Sequence, residues 1–317
     1  MNKGSEFVCV GLTILDILGC PIDQIPDGSS TSIIQQIRLT AAGTAGGPAV
    51  IGAKLGMETS LVGAVGKDDI ADFLLMLLKK HGVNSNFIQQ RDELPTATTM
   101  LTVNSKGDRP NFHAIGSTIL LELDEKMHEH VVNSKYIHWG GVGTMLKLDN
   151  GPAVDILKEA KSNGAVITTD FIAPGEQTLD LLKLILPYVD YFMPSMDEAM
   201  EVAGTTTPED TAEFYLNLGV DTCLFKWGAN GSLIATSDMQ KHIPAFKVAV
   251  VDTTGCGDSY CAGFTAGLSK GFDLEKAALF ATATSALVAT GLGSDAGVVN
   301  FEETLKAMET LEILKIE

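Results

Sequence analysis

The sequence has little positive charge and no long apolar run, and each shortage excludes a class of partner. Lysine and arginine number 22 against 40 aspartates and glutamates, so the net charge is −18. Nucleic acid and anionic membrane surfaces would both repel such a chain. No stretch approaches the roughly 20 uninterrupted apolar residues of a membrane helix. We therefore expect no nucleic-acid partner and no membrane partner, although a local positive pocket can still bind a small anion.

The cysteines do not form the pattern of a disulfide framework. Their number, five, is odd, and they are scattered over positions 9, 20, 223, 256 and 261. Reduced thiols in a cytoplasmic protein are the simpler interpretation.

Two common phosphate-binding motifs are also missing. The pattern G-x-x-x-x-G-K-[ST] does not occur in the chain. Gly291, Gly293 and Gly297 form only G-x-G-x-x-x-G. They follow a helical pattern, whereas a dinucleotide-binding turn follows a strand, so this class of site is not indicated.

Short β-branched runs alternate with segments of helical period. The strand-like runs cover residues 7–10, 61–65, 136–139, 166–169, 191–193, 223–225 and 248–251, and the helix-like segments cover residues 69–81, 154–163, 177–186, 197–203 and 209–218. This alternation predicts an α/β fold with a mainly parallel sheet covered on both faces. No linker interrupts it, so we predict a single domain over residues 1–317. In such sheets ligands bind beyond the carboxyl ends of the strands.

Residues 18–42 and 98–115 do not follow this rhythm. Ile37, Leu39 and Ala41 alternate with polar residues, and residues 98–115 indicate two strands joined by a turn. We predict that the two segments are inserted into the domain as a small β-sheet that serves as a lid. The alternative is that they are edge strands of the main sheet. Exposed strand edges on a lid would also allow a homodimer.

The second of the predicted lid strands carries polar residues at alternate positions. Arg109, Asn111 and His113 have the same parity, so all three would face one side of the strand. They are either substrate contacts or a solvated face, and we keep Arg109 as a candidate substrate-binding residue.

The most informative pattern lies in residues 248–269. An apolar run, predicted as a strand, leads into Asp-Thr-Thr-Gly-Cys-Gly-Asp at 252–258, and a helical pattern follows. A glycine-rich loop before a helix points backbone N–H groups and the positive end of the helix dipole at an anion. A carboxylate at Asp258 can then accept the proton of a hydroxyl that attacks phosphorus. The alternative is that Asp258 is an ordinary helix N-terminal acid after a tight turn.

This segment resembles the second signature of the ribokinase-like (phosphofructokinase-B type) carbohydrate kinases, roughly D-T-x-G/A-A/G-G-D before a small-residue helix. Cys256 stands where the family usually has Gly or Ala, which preserves the backbone N–H. The resemblance spans about residues 6–310 and implies a three-layer α/β sandwich with a small β-sheet lid. It also implies an ATP-dependent phosphotransferase with Asp258 as the catalytic base. The anion hole would be formed by Gly255, Cys256 and Gly257.

The family's substrate site is matched by two further segments. Residues 42–66 resemble the first signature; Gly43 matches it, and Gly47 stands where the family usually has an Asn that contacts substrate hydroxyls. Gly11-x-x-x-x-Asp16 resembles the family's site in which the acid binds two sugar hydroxyls. The resemblance thus implies substrate binding by Asp16, Gly43 and Gly47. A turn or cap residue at Asp16 and a flexible glycine loop are the alternatives.

The segment Lys-Trp-Gly-Ala-Asn-Gly at 226–231 resembles the family's nucleotide-phosphate turn. Lys226 replaces the usual Thr, and the resemblance implies that Lys226, Gly228 and Gly231 bind ATP. Thr282 lies in a helical segment that resembles the one lining the adenine pocket. It is a candidate ATP contact, with close helix packing as the alternative.

Metal binding is implied at two places. Ser195-x-x-Glu198 resembles the family's N-x-x-E element, so the resemblance implies that Glu198 holds Mg²⁺ through water. An ordinary acid in the first turn of a helix is the alternative. Asp252 and Thr254 correspond to residues that hold a monovalent cation in several relatives, which implies K⁺ as a further cofactor.

The leading hypothesis is an ATP-dependent kinase that phosphorylates a hydroxyl group of a sugar or sugar derivative. The same fold serves nucleoside kinases, so an adenosine- or inosine-type substrate is the close alternative. A nucleoside would favour an aromatic residue near the lid, and the predicted lid strands offer only Phe112. A ligand sensor that has lost turnover is the third alternative, supported only by Gly47 and Ser195.

Overall fold

The computed structural model describes residues 4–149 and 151–315. Its strands are β1 (Phe7–Val10), β2 (Ile14–Cys20), β3 (Gln36–Ala42), β4 (Thr59–Gly66), β5 (Asn84–Arg91), β6 (Thr98–Thr102), β7 (Asn111–Ala114), β8 (Tyr136–Trp139), β9 (Val166–Thr169), β10 (Tyr191–Phe192), β11 (Thr222–Lys226), β12 (Ser232–Ala235) and β13 (Gln240–Ile243). Its α-helices are α1 (Gly46–Lys54), α2 (Asp69–Lys80), α3 (Glu125–Val132), α4 (Leu146–Asp149), α5 (Pro152–Ser162), α6 (Thr178–Ile185), α7 (Met196–Ala203), α8 (Pro208–Leu216), α9 (Cys256–Ser269), α10 (Leu274–Ala289) and α11 (Phe301–Thr310).

Six of the helices in the described residues begin where the sequence supplies a polar cap. A side-chain oxygen just before the helix accepts a backbone N–H of the first turn, which satisfies a donor that has no partner inside the helix. Such caps are provided by Asp68, Asp124, Ser195, Thr207, Asp273 and Asn300. Helices α1, α5, α6 and α9 have no side-chain cap, and the cap position of α9 is Gly255.

The central sheet has the strand order β13-β12-β11-β10-β9-β8-β1-β4-β5 within the described residues. The strands from β11 to β5 run parallel, and β12 and β13 extend the sheet in an antiparallel hairpin. The carboxyl ends of the parallel strands therefore meet at one edge of the sheet.

Helices cover both faces of this sheet. In β1, Val8 and Val10 pack into a core formed with α3 to α8, whereas Phe7 and Cys9 pack into a core formed with α1, α2, α9 and α10. All four side chains are fully buried. The predicted three-layer α/β fold with a mainly parallel central sheet is confirmed.

A separate small sheet has the strand order β3-β2-β6-β7. Strands β6 and β7 are the two strands expected in residues 98–115, and β3 contains the alternating residues of the first segment. Strand β2 begins at Ile14, upstream of the predicted segment 18–42. The cross-strand register aligns Thr40, Asp16, Thr99 and His113 in one row across the four strands, so these side chains share a face.

The strand predicted at residues 248–251 is wrong. These residues form no strand, and Val250 and Val251 are 58% and 39% exposed. The N–H of Val251 donates to the carbonyl of Ala289 at the end of α10. A segment held against a helix end and open to solvent has no neighbouring strand with which to pair, so α9 follows an irregular segment. Among the described residues, no helix has the length and apolar character needed to cross a membrane.

Candidate active site

Asp258 lies in the first turn of α9, next to the first turn of α1. A methyl group on Gly47 would lie 2.9 Å from Oδ2 of Asp258 and 3.0 Å from its Cβ, so only a glycine allows this approach. The helix begins without a side-chain cap at Gly255, which has φ 75°. A methyl group there would lie 2.5 Å from Cβ of Ser294. Glycine is therefore required at both positions by close packing, and at Gly255 also by backbone conformation.

The predicted anion hole consists of backbone groups at the head of α9. The first hydrogen bond of the helical pattern runs from Ser259 N to Gly255 O, at 2.8 Å. The N–H of Cys256 already donates to Thr253 O at 3.3 Å. By helix geometry, the N–H groups of Gly257 and Asp258 are the first-turn donors that remain directed at the space before the helix.

The carboxyl group of Asp258 is surrounded by charges of both signs. Its pKa is raised to about 7: burial is the largest cause and Asp170 adds to the increase, whereas Lys226 opposes it. Asp16 contributes a smaller increase and Arg109 a smaller decrease. A carboxyl group with a pKa near neutrality can accept and release a proton under physiological conditions.

Asp16 lies on the face of the small sheet that carries the polar row. It is 6% exposed. Its pKa is raised to about 7, chiefly by burial; a hydrogen bond from Thr99 opposes the increase, and the negative charge of Asp252 adds to it. Asp16 also acts on the pKa of Asp258, as described above, which brings the predicted substrate-binding acid and the predicted base into one electrostatic group.

Arg109 connects the small sheet to the loop before α9. It lies in the β6–β7 loop, two residues before β7 begins, and its Nε donates to Oγ1 of Thr253 at 3.0 Å. Its positive charge lowers the pKa of both Asp16 and Asp258. Arg109 therefore faces the two acids, as a substrate-binding candidate should.

Asp252 and Thr254 stabilise the loop before α9 from within. Oδ1 of Asp252 accepts from the N and Oγ1 of Thr254, at 2.9 and 2.7 Å, and Oδ2 accepts from Gly293 N at 2.8 Å. The Asp252 side chain is fully buried. Its carboxylate thus holds the loop against residues 291–297.

Those residues are in turn attached to the small sheet and to α1. Asp295 accepts from Arg38 of β3 and from Lys54 of α1, each at 2.7 Å. Burial alone would raise the pKa of Asp295, but the bond and charge of Lys54 and the charge of Arg38 hold it below its ordinary value. This ion-pair group was not predicted from the sequence, because its members are more than 200 positions apart.

Lys226 ends β11 and extends toward the head of α9. Its Nζ would lie 3.3 Å from a methyl group on Gly257. The predicted nucleotide turn follows directly, with Gly228 at φ 54° and Gly231 at φ 83°. The N–H of Lys226 donates to Pro194 O at 2.9 Å, and Lys226 pairs with Ser195 in an isolated bridge, so the β11 end and the α7 cap lie side by side.

Glu198 lies in the first turn of α7, half-buried. Its Oε2 accepts from Oγ of Ser195 at 2.6 Å, and its Oε1 accepts from Ala173 N at 3.2 Å. A carboxylate offers about four lone-pair positions, so capacity for further partners remains. Mg²⁺ is commonly held by one or two carboxylates together with water and phosphate oxygens, and this side chain fits that role.

Two predicted site residues, Thr282 and Gly43, make hydrogen bonds to backbone groups; the carbonyl of Gly43 accepts from the N–H of Gly47 at 2.9 Å. Thr282 is buried in α10, and its hydroxyl donates to Ala278 O of the same helix at 2.9 Å. Gly43 lies at the end of β3, where a methyl group would lie 2.5 Å from Leu12 O. The space around Gly43 is therefore occupied by backbone.

Asp170, which directly follows β9, was not predicted as a site residue from the sequence. It is 3% exposed, and its Oδ2 lies 3.3 Å from Nζ of Lys226. Nearby, Cys261 of α9 and His138 of β8 are fully buried. The signal for Asp170 was the one that identified Asp16, namely an acid next to an apolar strand, where a charge is costly unless it is paired.

A carboxyl group and a cation lie at the head of an uncapped helix, at the carboxyl edge of a covered parallel sheet, which is the arrangement of an α/β enzyme that transfers a phosphoryl group. The chain belongs to the pfkB family of carbohydrate kinases, whose family model matches residues 5–299. It is a kinase that phosphorylates an alcohol group of a sugar or a nucleoside.

Individual relatives agree with the family. A ribokinase from Staphylococcus aureus is 26% identical over 284 residues, which is 87% of this chain and 90% of that protein. A nucleoside kinase from Methanocaldococcus jannaschii is 24% identical, with 97% of this chain and 98% of that protein covered. The crystal structure of a proposed ribokinase II from E. coli, in complex with ATP and Mg²⁺, is 23% identical with a TM-score of 0.81. That match covers 96% of this chain and 99% of the other and demonstrates the fold.

We predict that Gly47→Ala lowers kcat by about 10- to 100-fold. The new methyl group would lie 2.9 Å from Oδ2 of Asp258, so the carboxylate must move by up to about 1 Å. The matched control is Gly46→Ala, because the nearest atom to its methyl group would be Cα of Thr13 at 3.8 Å. Steady-state ADP release and thermal unfolding of both variants test this. Equal kcat values in the two variants would contradict the close approach of Asp258 to Gly47.

Proposed function

We propose that this protein transfers the γ-phosphate of ATP to a hydroxyl group of a sugar or sugar derivative, with Asp258 as the catalytic base. The observation that carries the proposal is the position of Asp258. Its half-buried carboxyl group lies at the uncapped head of α9, beside Lys226 and in the same charged group as Asp16. A substrate hydroxyl between the two acids would be next to the donors that favour a phosphate anion.

In this mechanism Asp258 accepts the hydroxyl proton as the hydroxyl oxygen forms a bond to the γ-phosphorus. The bond from that phosphorus to the bridging oxygen breaks, and ADP leaves with its electron pair. The N–H groups of Gly257 and Asp258 offset negative charge on the transferred group. The N–H of Cys256 donates to Thr253 O instead, so the predicted roles of Gly255 and Cys256 are limited to shaping this turn. Mg²⁺ near Glu198 would supply charge neutralisation of the phosphates. Lys226, Gly228, Gly231 and Thr282 are the proposed ATP contacts.

A sugar is favoured by the polar row on the small sheet. Thr40, Asp16, Thr99 and His113 share one face, and Asp16 with Arg109 belongs to the charged group of the site. Phe112 has the opposite parity and is 56% exposed, so it does not offer a base-stacking surface on that face. We therefore propose that the small sheet is a lid and that Asp16, Gly43, Gly47 and Arg109 bind a polyhydroxyl substrate. The full-length match to a nucleoside kinase supports a nucleoside as the second candidate.

We predict that Asp258→Asn lowers turnover about 10²- to 10⁴-fold, because the amide cannot accept the hydroxyl proton, while Mg·ATP binding persists. ADP release is measured against sugars, sugar acids and nucleosides, and ATP binding by calorimetry. The matched control is Asp180→Asn, which replaces an exposed acid in the first turn of α6 and should leave turnover unchanged. Near wild-type kcat in Asp258→Asn would refute the base. Absence of turnover across the panel, with ATP bound, would favour a sensor.

The monovalent-cation assignment stays a prediction. Three hydrogen bonds from protein donors occupy most of the lone-pair capacity of the Asp252 carboxylate. Direct coordination by both oxygens therefore does not fit, and a structural role for Asp252 and Thr254 is favoured.

We accordingly expect turnover in tetramethylammonium chloride to remain close to that in KCl at equal ionic strength. A circular dichroism spectrum in each salt shows whether the fold is the same. Loss of turnover without K⁺, restored by adding it, would support a bound cation and contradict the structural role.

We propose that the protein is cytoplasmic, as its free thiols suggest.

We also propose that two copies of the chain associate through the outer face of the small sheet. The face opposite to the polar row carries Ile37, Leu39, Met100 and Phe112, which are 65%, 37%, 51% and 56% exposed. An apolar sheet face with open edges at β3 and β7 is suited to a second copy of itself.

We predict a dimer by light scattering, and a monomer for the double variant Met100→Glu/Phe112→Glu, because buried charge would oppose the contact. Met76→Glu is the matched control, since Met76 lies on α2 and has the same 51% exposure as Met100. A wild-type monomer at micromolar concentration, or a double variant that remains dimeric, would rule out this interface.

A further inference from the structure

A buried ion pair lies directly behind the proposed base. Lys226 ends β11 and Asp170 follows β9, on strands separated only by the two-residue β10. Nζ of Lys226 lies 3.3 Å from Oδ2 of Asp170, and their side chains are 15% and 4% exposed. The pair is thus held at the carboxyl edge of the sheet, where the strand positions define its geometry.

The pair contacts the first turns of α9 at Gly257 and Cys261. Nζ of Lys226 would lie 3.3 Å from a methyl group on Gly257, and it lies 3.7 Å from Sγ of Cys261. Cys261 Sγ is also 3.8 Å from Asp170 Oδ2. Because Cys261 follows Asp258 by three positions, the two residues lie on the same side of the helix. Both members of the pair are therefore close to Asp258.

We propose that Lys226 and Asp170 act as a positioning pair that sets the pH range in which Asp258 is available as a base. The inference rests on the proposed role of Asp258. Lys226 stabilises the ionised carboxylate of Asp258, and Asp170 offsets that effect. Asp258 can therefore change between its protonated and ionised forms. An Asp258 that is too strongly stabilised as an anion would be a weak proton acceptor.

The electrostatic surroundings of Asp258 are consistent with this balance. After burial, Asp170 and Lys226 are the strongest influences on its pKa, and they act in opposite directions. Burial alone would lower the pKa of Lys226, but Cys261, Asp170 and Asp258 raise it, so the amine remains charged. The other groups that face Asp258 are Asp16 of β2, Arg109 of the β6–β7 loop, and the thiols of Cys9, Cys256 and Cys261, whose pKa values burial raises.

A metal centre is the competing interpretation of the same cluster. Ligand atoms of His138, Asp170 and Cys261 lie within 4.8 Å of one another. Nε2 of His138 and Oδ1 of Asp170, 3.7 Å apart, have no hydrogen-bond partner. However, the Lys226 ammonium already lies beside two of the three groups, and a divalent ion would be repelled by that fixed charge. The positive charge in this cluster is thus supplied by the Lys226 ammonium group.

The test is the pH profile of kcat/KM with Mg·ATP held saturating. Activity should fall as the pH decreases below about 7, because a protonated Asp258 cannot accept a proton. Lys226→Met should move this acid limb upward by about one pH unit or more, and Asp170→Asn should move it downward. The double variant Lys226→Met/Asp170→Asn should return it close to the wild-type position, since both charges are removed.

Lys161→Met is the matched control. Lys161 forms an ion pair with Asp190 at the amino edge of the same strands, away from α9, so its loss should leave the acid limb in place. If Lys226→Met does not fold, the downward shift in Asp170→Asn still tests the proposal. The double variant, which leaves no unpaired charge, tests it independently.

The outcomes separate this inference from the proposed function. If Asp258→Asn retains turnover, both fail. If Asp258→Asn loses turnover but the Lys226 and Asp170 variants lower kcat/KM by one factor at every pH, the pair is merely structural and only this inference is overturned. A limb that moves in the same direction in both single variants would also overturn it.

Discussion

A parallel sheet that is covered by helices on both faces can hold charged side chains only at the ends of its strands, because both faces are apolar and dry. In this protein that constraint brings Asp170 and Lys226 together at the carboxyl edge. Helix α9 begins at the same place with its N-terminal donors uncapped. The site is therefore built where the fold leaves no other position for its charges, and the surrounding sheet makes the position rigid.

The acidic character of the chain gives these charges their importance. Asp252 raises the pKa of Asp16, and Asp16 raises the pKa of Asp258, so cations are needed to balance this group of acids. Lys226 supplies positive charge from the central sheet, and Arg109 supplies it from the small sheet. Anionic phosphate is thus accommodated in a strongly acidic protein by local arrangement, although the net charge is −18.

The small sheet is attached to this site through residues that are distant in sequence. Arg38 of β3 and Lys54 of α1 meet at Asp295. The neighbouring Ser294 donates to Ala41 O at 2.9 Å, and Gly293 donates to Asp252. These hydrogen bonds and ion pairs therefore hold the loop before α9 in place on the side of the small sheet. Arg109 reaches the same loop from the opposite end of that sheet, through Thr253.

The sequence alone determined the α/β class, the start of α9 and the position of Asp258, because hydrophobic period and a Gly-Cys-Gly turn are local properties of the chain. It did not reveal Asp170, and it assigned a strand to residues 248–251, which are exposed and unpaired. Apolar, β-branched residues indicate a capacity for pairing but not the presence of a partner strand. The ion pair of Lys226 with Asp170 joins residues 56 positions apart. The ion pair of Lys54 with Asp295, which supports the loop before α9, joins residues 241 positions apart. Only tertiary structure decides such contacts, because burial and charge pairing are set by what packs in space.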